Sequence, residues 1–167
     1  MSTIAPSPLS NSAIAEYARR VAAAHGEYEQ GSRLDLMRLV GALGGRVETS
    51  MDIVAPEALT VHEAGNFTVH LPPLTSDRRD RFTIAHELGH YFLHYLHPQQ
   101  KGRMAFGRGS RNRAETQANI FASSLLMPAD AFVAAAERYG HDWWRVGDEF
   151  GVSPSAASVR AQVLGLI

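Results

Sequence analysis

Cysteine is absent from this chain. Disulfides, thiolate nucleophiles and zinc-finger or iron–sulfur ligation are excluded with it, so any metal must be held by His, Asp or Glu. An excess of one charge is lacking too: 17 acidic side chains stand against 16 basic ones. That balance supplies no global field to draw the chain to nucleic acid or to a membrane surface. No apolar run approaches the roughly 20 residues that a helical membrane span needs. The opening residues MSTIAPSPLSN carry neither the basic nor the apolar part of a secretory leader, so a cytoplasmic protein with no membrane partner is expected. What is present is ordinary globular composition: 45 % hydrophobic and 20 % charged residues over 167 positions, enough for one domain with a real core.

The chain divides by pattern. Residues 1–10 are rich in Ser and Pro and read as a flexible tail, leaving 11–167 as a single domain. Ile14, Tyr17, Ala18, Val21 and Ala24 recur at helical spacing, and a second helix is predicted over Leu34–Leu43, closed by Gly44-Gly45. Three strands are predicted at Arg46–Thr49, Leu59–Glu63 and Phe67–Leu71, the last two joined by the turn Ala64-Gly65-Asn66. From Ser76 the pattern turns helical, with a helix from Ser76 or Asp77 to about Leu96 that stops before Pro98. Residues 99–112 read as a loop, and Ala114–Leu126, a segment from Pro128, Trp143–Phe150 and Ser155–Leu164 read as helices. The order predicts an α+β fold, a small antiparallel-type sheet with predominantly helical packing.

The chemistry concentrates at His86-Glu87-Leu88-Gly89-His90, an H-E-x-x-H sequence within a predicted helix. Residues four apart on a helix lie about 40° from alignment, so both imidazoles can face one ion. Glu87 can then reach a water on that ion without being a ligand, the arrangement of zinc peptidases. Ala85, Leu88, Phe92 and Tyr95 form a separate apolar stripe that can bury the helix and turn its histidines toward a cleft. Gly89 weakens the helix by roughly 1 kcal/mol relative to Ala, which close approach of another backbone or of substrate would explain.

A catalytic zinc takes three protein ligands and leaves one position open. Without cysteine, the third is a carboxylate or an imidazole. Glu115 is a candidate on the next long helix, and Asn119, four residues on, points the same way and can orient a ligand histidine. Taken alone, Glu115 reads better as a solvated acid at a helix start, where the dipole favours it.

HELGHYFLH followed by ETQANIFASSLLMP resembles the ImmA/IrrE family of bacterial zinc metallopeptidases, over about Leu34 to the C-terminus. The resemblance implies a zincin-like fold and gluzincin-like ligation of one Zn2+ per chain by His86, His90 and Glu115, with Glu87 as general base. It also implies a regulatory hydrolase that cleaves a helix-turn-helix transcriptional repressor or antitoxin. Gln117 stands where the family often has a second Glu; it is off the ligand position and is read as neutral to zinc binding.

The surrounding residues leave more open. His62, His70 and Tyr91 are candidate oxyanion donors by proximity in sequence, and His94, four residues from His90, is a candidate to stand behind it. The strand Phe67–Leu71 offers an edge to an extended peptide. The loop 101–113 carries five basic residues before Glu115 and reads as a flap or as a solvated loop. The segment at about 142–167 resembles a helix-turn-helix, but from Asp142 on it has two arginines against three acids, so a helical cap is expected and direct DNA binding is not. Trp143 and Trp144 are expected to anchor in the core. The competing function is a non-cleaving, zinc-containing regulator or toxin–antitoxin component that sequesters its repressor, for which Glu87 would be dispensable.

Overall fold

A computed structural model describes residues 4–51, 57–108 and 111–167. In chain order the elements are α1 (Asn11–His25), β1 (Tyr28–Gln30), β2 (Arg33–Leu34), α2 (Leu36–Ala42), β3 (Gly45–Thr49), β4 (Glu57–Glu63) and β5 (Asn66–Leu71). There follow α3 (Asp77–His90), a π-helical continuation (Tyr91–Leu96), β6 (Met104–Gly107), α4 (Arg113–Leu126), α5 (Ala129–Arg138), α6 (Trp143–Phe150) and α7 (Pro154–Val163). The fold is α+β, as the order of patterns predicts. No single helix among the described residues is long and apolar enough to cross a membrane.

The helices start where the sequence offers side-chain acceptors to their first N–H groups. Ser10, Asp35, Ser76, Asn112, Asp142 and Ser153 each cap a helix by accepting from a backbone N–H in its first turn. Leu34 is drawn out of the predicted second helix because the chain pairs β1 with β2 first, and Asp35 begins α2 after it.

The main sheet has the order β3-β5-β4-β6. It corrects the sequence reading in three ways. The β3–β5 pairing is parallel, while β4–β5 and β4–β6 are antiparallel, so the sheet is mixed. β5 lies inside the sheet, with both of its edges paired, and cannot offer an edge to a peptide. The fourth strand, β6, forms in the stretch read as a loop. Met104 and Phe106 supply its alternation, and Phe106 is fully buried. Gly44-Gly45 does more than close α2: a Cβ on Gly45 would lie 2.3 Å from the Phe67 ring, so β3 can pass this close only without one.

α3 and α4 pack together with α1 laid against α4, around Leu88, Phe92 and Phe121. The predicted stripe of Ala85, Leu88, Phe92 and Tyr95 is buried throughout. Gly89 faces the α4 backbone, where a Cβ would meet Ala118 Cα and O at 3.0 Å. α6 and α7, with the left-handed Gly151 between them, are tied to α3 by Arg81, which donates to the carbonyls of Phe150 and Gly151 and to that of Leu34. Trp143 is half-buried and stacks on Phe132, whereas Trp144 is 74 % exposed and anchors nothing in the core. Residues 4–10 of the predicted tail reach α4: Ser7 N–H donates to Gln117 Oε1 at 2.9 Å, and Gln117 Nε2 donates to Ser7 O at 2.8 Å.

Candidate metal centre

The H-E-x-x-H residues occupy the last turn of α3, and α4 crosses them closely because Gly89 has no side chain to hold it off. That crossing carries Glu115, in the first turn of α4, to the two histidines. His86 Nε2 lies 3.1 Å and His90 Nε2 2.5 Å from Glu115 Oε2, and the three candidate ligand atoms lie within 4.8 Å of one another. Tetrahedral zinc, with ligands at about 2.0–2.1 Å, holds its donor atoms roughly 3.3 Å apart, and the two histidine–carboxylate separations, 3.1 and 2.5 Å, are near and below that spacing. Two imidazole nitrogens and a carboxylate oxygen also suit zinc chemically. The residues present fit such an ion.

Each histidine is oriented from behind. His86 Nδ1 donates to Asn119 Oδ1 at 2.7 Å, which leaves the Nε2 lone pair directed at the cluster. His90 Nδ1 lies 2.9 Å from His94 Nδ1, and His94 Nε2 lies 2.9 Å from Gln117 Oε1. Phe106 stacks on the His90 ring at 5.1 Å. Sequence reasoning brings Asn119 and His94 to this cluster and misses Phe106 and Gln117. Phe106 sits in an Arg- and Gly-rich stretch that hides its strand, and Gln117 has no spacing signal of its own.

The electrostatics separate the acids. Burial raises the Glu115 carboxyl, but with no ion between them the close contacts of the His86 and His90 rings outweigh it and lower the group to about 2. The two histidines answer in opposite directions. Burial depresses both, yet at His86 the contact with Glu115 and the nearby Glu87 charge favour the protonated ring and raise it, while His90, more deeply enclosed and facing His86, stays lowered. Burial likewise pushes His94 down to about 4, against the pull of its Gln117 contact. Glu87 goes the other way: desolvation lifts its carboxyl to about 7 despite the opposing influence of His86. Its Oε2 is buried with no hydrogen-bond partner among the described residues.

His86, Glu87 and Glu115 open on a cleft of about 320 Å³ whose wall includes Gly107 and Arg108 from the end of β6. The guanidinium of Arg108 donates to the His70 carbonyl. None of the three predicted oxyanion donors is on this wall. His62 is exposed on β4, His70 is hydrogen-bonded to Thr60 Oγ1 at 2.9 Å, and the Tyr91 hydroxyl accepts from Gly65 N–H at 2.8 Å. Sequence proximity fails here because the side chains on β4, β5 and the π-helical segment are committed to solvent or to other partners. Of the loop 101–113, residues 104–107 are strand, and Gly109 lies outside the described residues.

A protein-family model described as the IrrE N-terminal-like domain of peptidase M78 matches residues 54–162. The match takes in the main sheet from β4 onward, the whole metal cluster and nearly all of the helical pair at the end. A comparison with curated proteins finds no match.

Proposed function

The chain belongs to the peptidase M78 family of IrrE N-terminal-like domains, and from that membership and the cleft we propose that it is a zinc-dependent endopeptidase acting on a partner protein, a helix-turn-helix repressor or antitoxin. The observation that carries the reading is the pairing of two acids with opposite character in one cleft. Glu115, held near 2, stays ionised as a ligand must, while Glu87, lifted to about 7 and left without a partner on Oε2, is poised to exchange protons near neutrality.

His86, His90 and Glu115 would hold the ion. A bound zinc supplies polarisation of the scissile carbonyl and acidification of a water molecule. Glu87 takes the proton of the attacking water on Oε1, the oxygen that lies toward His86, and delivers it to the departing amine. Among the described residues, Arg108 is a cleft-wall arginine near enough to Glu87 to favour its charge, and it replaces His62, His70 and Tyr91 as the candidate donor to the oxyanion. β6 is the sheet edge that ends at the cleft, so an extended substrate segment adds to β6 instead of β5. The repressor as substrate rests on the family resemblance alone.

The test is incubation of the zinc-loaded chain with a helix-turn-helix repressor encoded beside it, next to Glu87→Gln. Cleavage by wild type and none by the variant supports the peptidase. Binding of the repressor by both, with no cleavage by either, supports the sequestering regulator instead.

A further inference from the structure

Gln117 is the most enclosed polar side chain near the cluster that the proposed chemistry does not use; it is 1 % exposed. Its amide has three contacts. Oε1 accepts from Ser7 N–H at 2.9 Å, Nε2 donates to Ser7 O at 2.8 Å, and Oε1 also lies 2.9 Å from His94 Nε2. The Ser7 backbone leaves the amide only one orientation. Reversed, it would set NH2 against N–H and carbonyl against carbonyl. Oε1 therefore faces His94, and because a carbonyl oxygen can only accept, the His94 proton sits on Nε2.

The rest of the chain follows by elimination. With its proton on Nε2, neutral His94 has a lone pair on Nδ1, 2.9 Å from His90 Nδ1. His90 must supply the hydrogen of that contact. Its own lone pair is then on Nε2, the atom 2.5 Å from Glu115 Oε2 and inside the candidate ligand cluster. We infer that Gln117 is a positioning residue, oriented by the backbone of Ser7, which sets the tautomer of His94 and through it aims the Nε2 lone pair of His90 at the metal. The N-terminal segment is thereby part of the metal centre, although Ser7 is 110 residues from Gln117 in sequence. The inference rests on the reading of His86, His90 and Glu115 as zinc ligands.

The test uses the full chain. Zinc affinity is measured by competition with a chromophoric chelator for wild type, Gln117→Met and Gln117→Glu, and the imidazole tautomers of the zinc-loaded proteins are read from their 15N shifts. Wild type is expected to show His94 protonated on Nε2 and His90 bound through Nε2. Gln117→Met keeps the volume but removes the acceptor, and should lose about 10–100-fold in zinc affinity, with His94 no longer fixed in one tautomer. Gln117→Glu restores an acceptor for His94 Nε2–H and should recover the tautomer and most of the affinity. A Gln117→Met affinity within twofold of wild type overturns the inference, as does equal weakening by both variants. Should Gln117→Met fail to fold, a wild-type His94 protonated on Nδ1 overturns it alone. A wild-type chain that takes up no zinc removes the metal-site reading, and the inference falls with it.

Discussion

Glu87 Oε1 lies 3.8 Å from His86 Nε2, while the other oxygen of the same carboxylate is buried with no hydrogen-bond partner among the described residues. An orphaned acid in this position is a cost to the fold that its chemistry explains. The two sides of that bargain can be measured separately.

In the metal-free protein, Glu87 should destabilise the fold above neutral pH. Its carboxyl titrates at about 7 when folded, against 4.5 for the unperturbed group, because burial disfavours the charge. Below 4.5 both states hold the proton and nothing is lost. Between 4.5 and 7 the unfolded chain ionises first, so stability falls as pH rises, and above 7 the full penalty remains, at most about 3 kcal/mol. Glu87→Gln removes the charge. Thermal unfolding should therefore find the variant more stable by several degrees at pH 8 and close to wild type at pH 4.5. Equal melting temperatures at pH 8 would contradict the desolvation argument. The same substitution should slow peptide hydrolysis by about 10²–10⁴-fold.

Zinc should stabilise the fold through the three ligand side chains. A ligand at a hundred times its dissociation constant adds about 2.7 kcal/mol, or roughly 5–10 °C for a chain of this size. Differential scanning fluorimetry of chelator-treated protein should show that rise on adding zinc. His86→Ala, His90→Ala and Glu115→Ala should each largely abolish it. A full rise in Glu115→Ala would move the third ligand to another residue.

Much of this centre can be read from the chain before folding, and the limits have physical causes. H-E-x-x-H is legible because both ligands and Glu87 share one helix, whose period fixes their relation. Glu115 is legible only as a candidate, since what brings it to His90 is the closeness of α3 and α4 at Gly89. The strand β6 is hidden by the arginines and glycines around Met104 and Phe106, which carry no strand propensity. The contact of Ser7 with Gln117 is invisible in sequence because it is made by backbone atoms, whose partners no composition reveals. That is why Gln117 reads as neutral while its amide is joined through His94 to His90. Trp144 misleads for the opposite reason: size and apolarity suggest burial, but the turn of α6 puts it on the outer face.

Arg81 should hold the α6–α7 pair to α3. It is buried and donates to the carbonyls of Leu34, Phe150 and Gly151, two of them at the end of α6. Arg81→Met fills similar space but leaves these acceptors without their donor, and should cost about 2–4 kcal/mol in urea unfolding. Native-state hydrogen exchange should show the loss of protection concentrated in α6 and α7. A uniform loss across α3 and α4 would contradict this account.

Gly89→Ala should damage metal binding more than it damages helix stability. Alanine improves helix propensity by roughly 1 kcal/mol, so on local grounds the change is favourable. The new methyl, however, would sit 3.0 Å from Ala118 Cα and O and 3.2 Å from Phe121 Cβ. Two of these are backbone atoms of α4, which cannot rotate away as a side chain can, so α4 itself must shift by a few tenths of an ångström. Overpacking of this kind costs about 1–3 kcal/mol, leaving a net loss of roughly 0–2 kcal/mol in global stability. The larger effect lies at the ligands, because α4 carries Glu115 and α3 carries His86 and His90. A displacement between these helices opens the cluster, and zinc affinity should fall at least tenfold, a loss that displacement of supporting groups alone produces. Chelator competition on Gly89→Ala checks it. Wild-type zinc affinity in a variant that melts several degrees lower would show that the α3–α4 approach serves packing and not the metal.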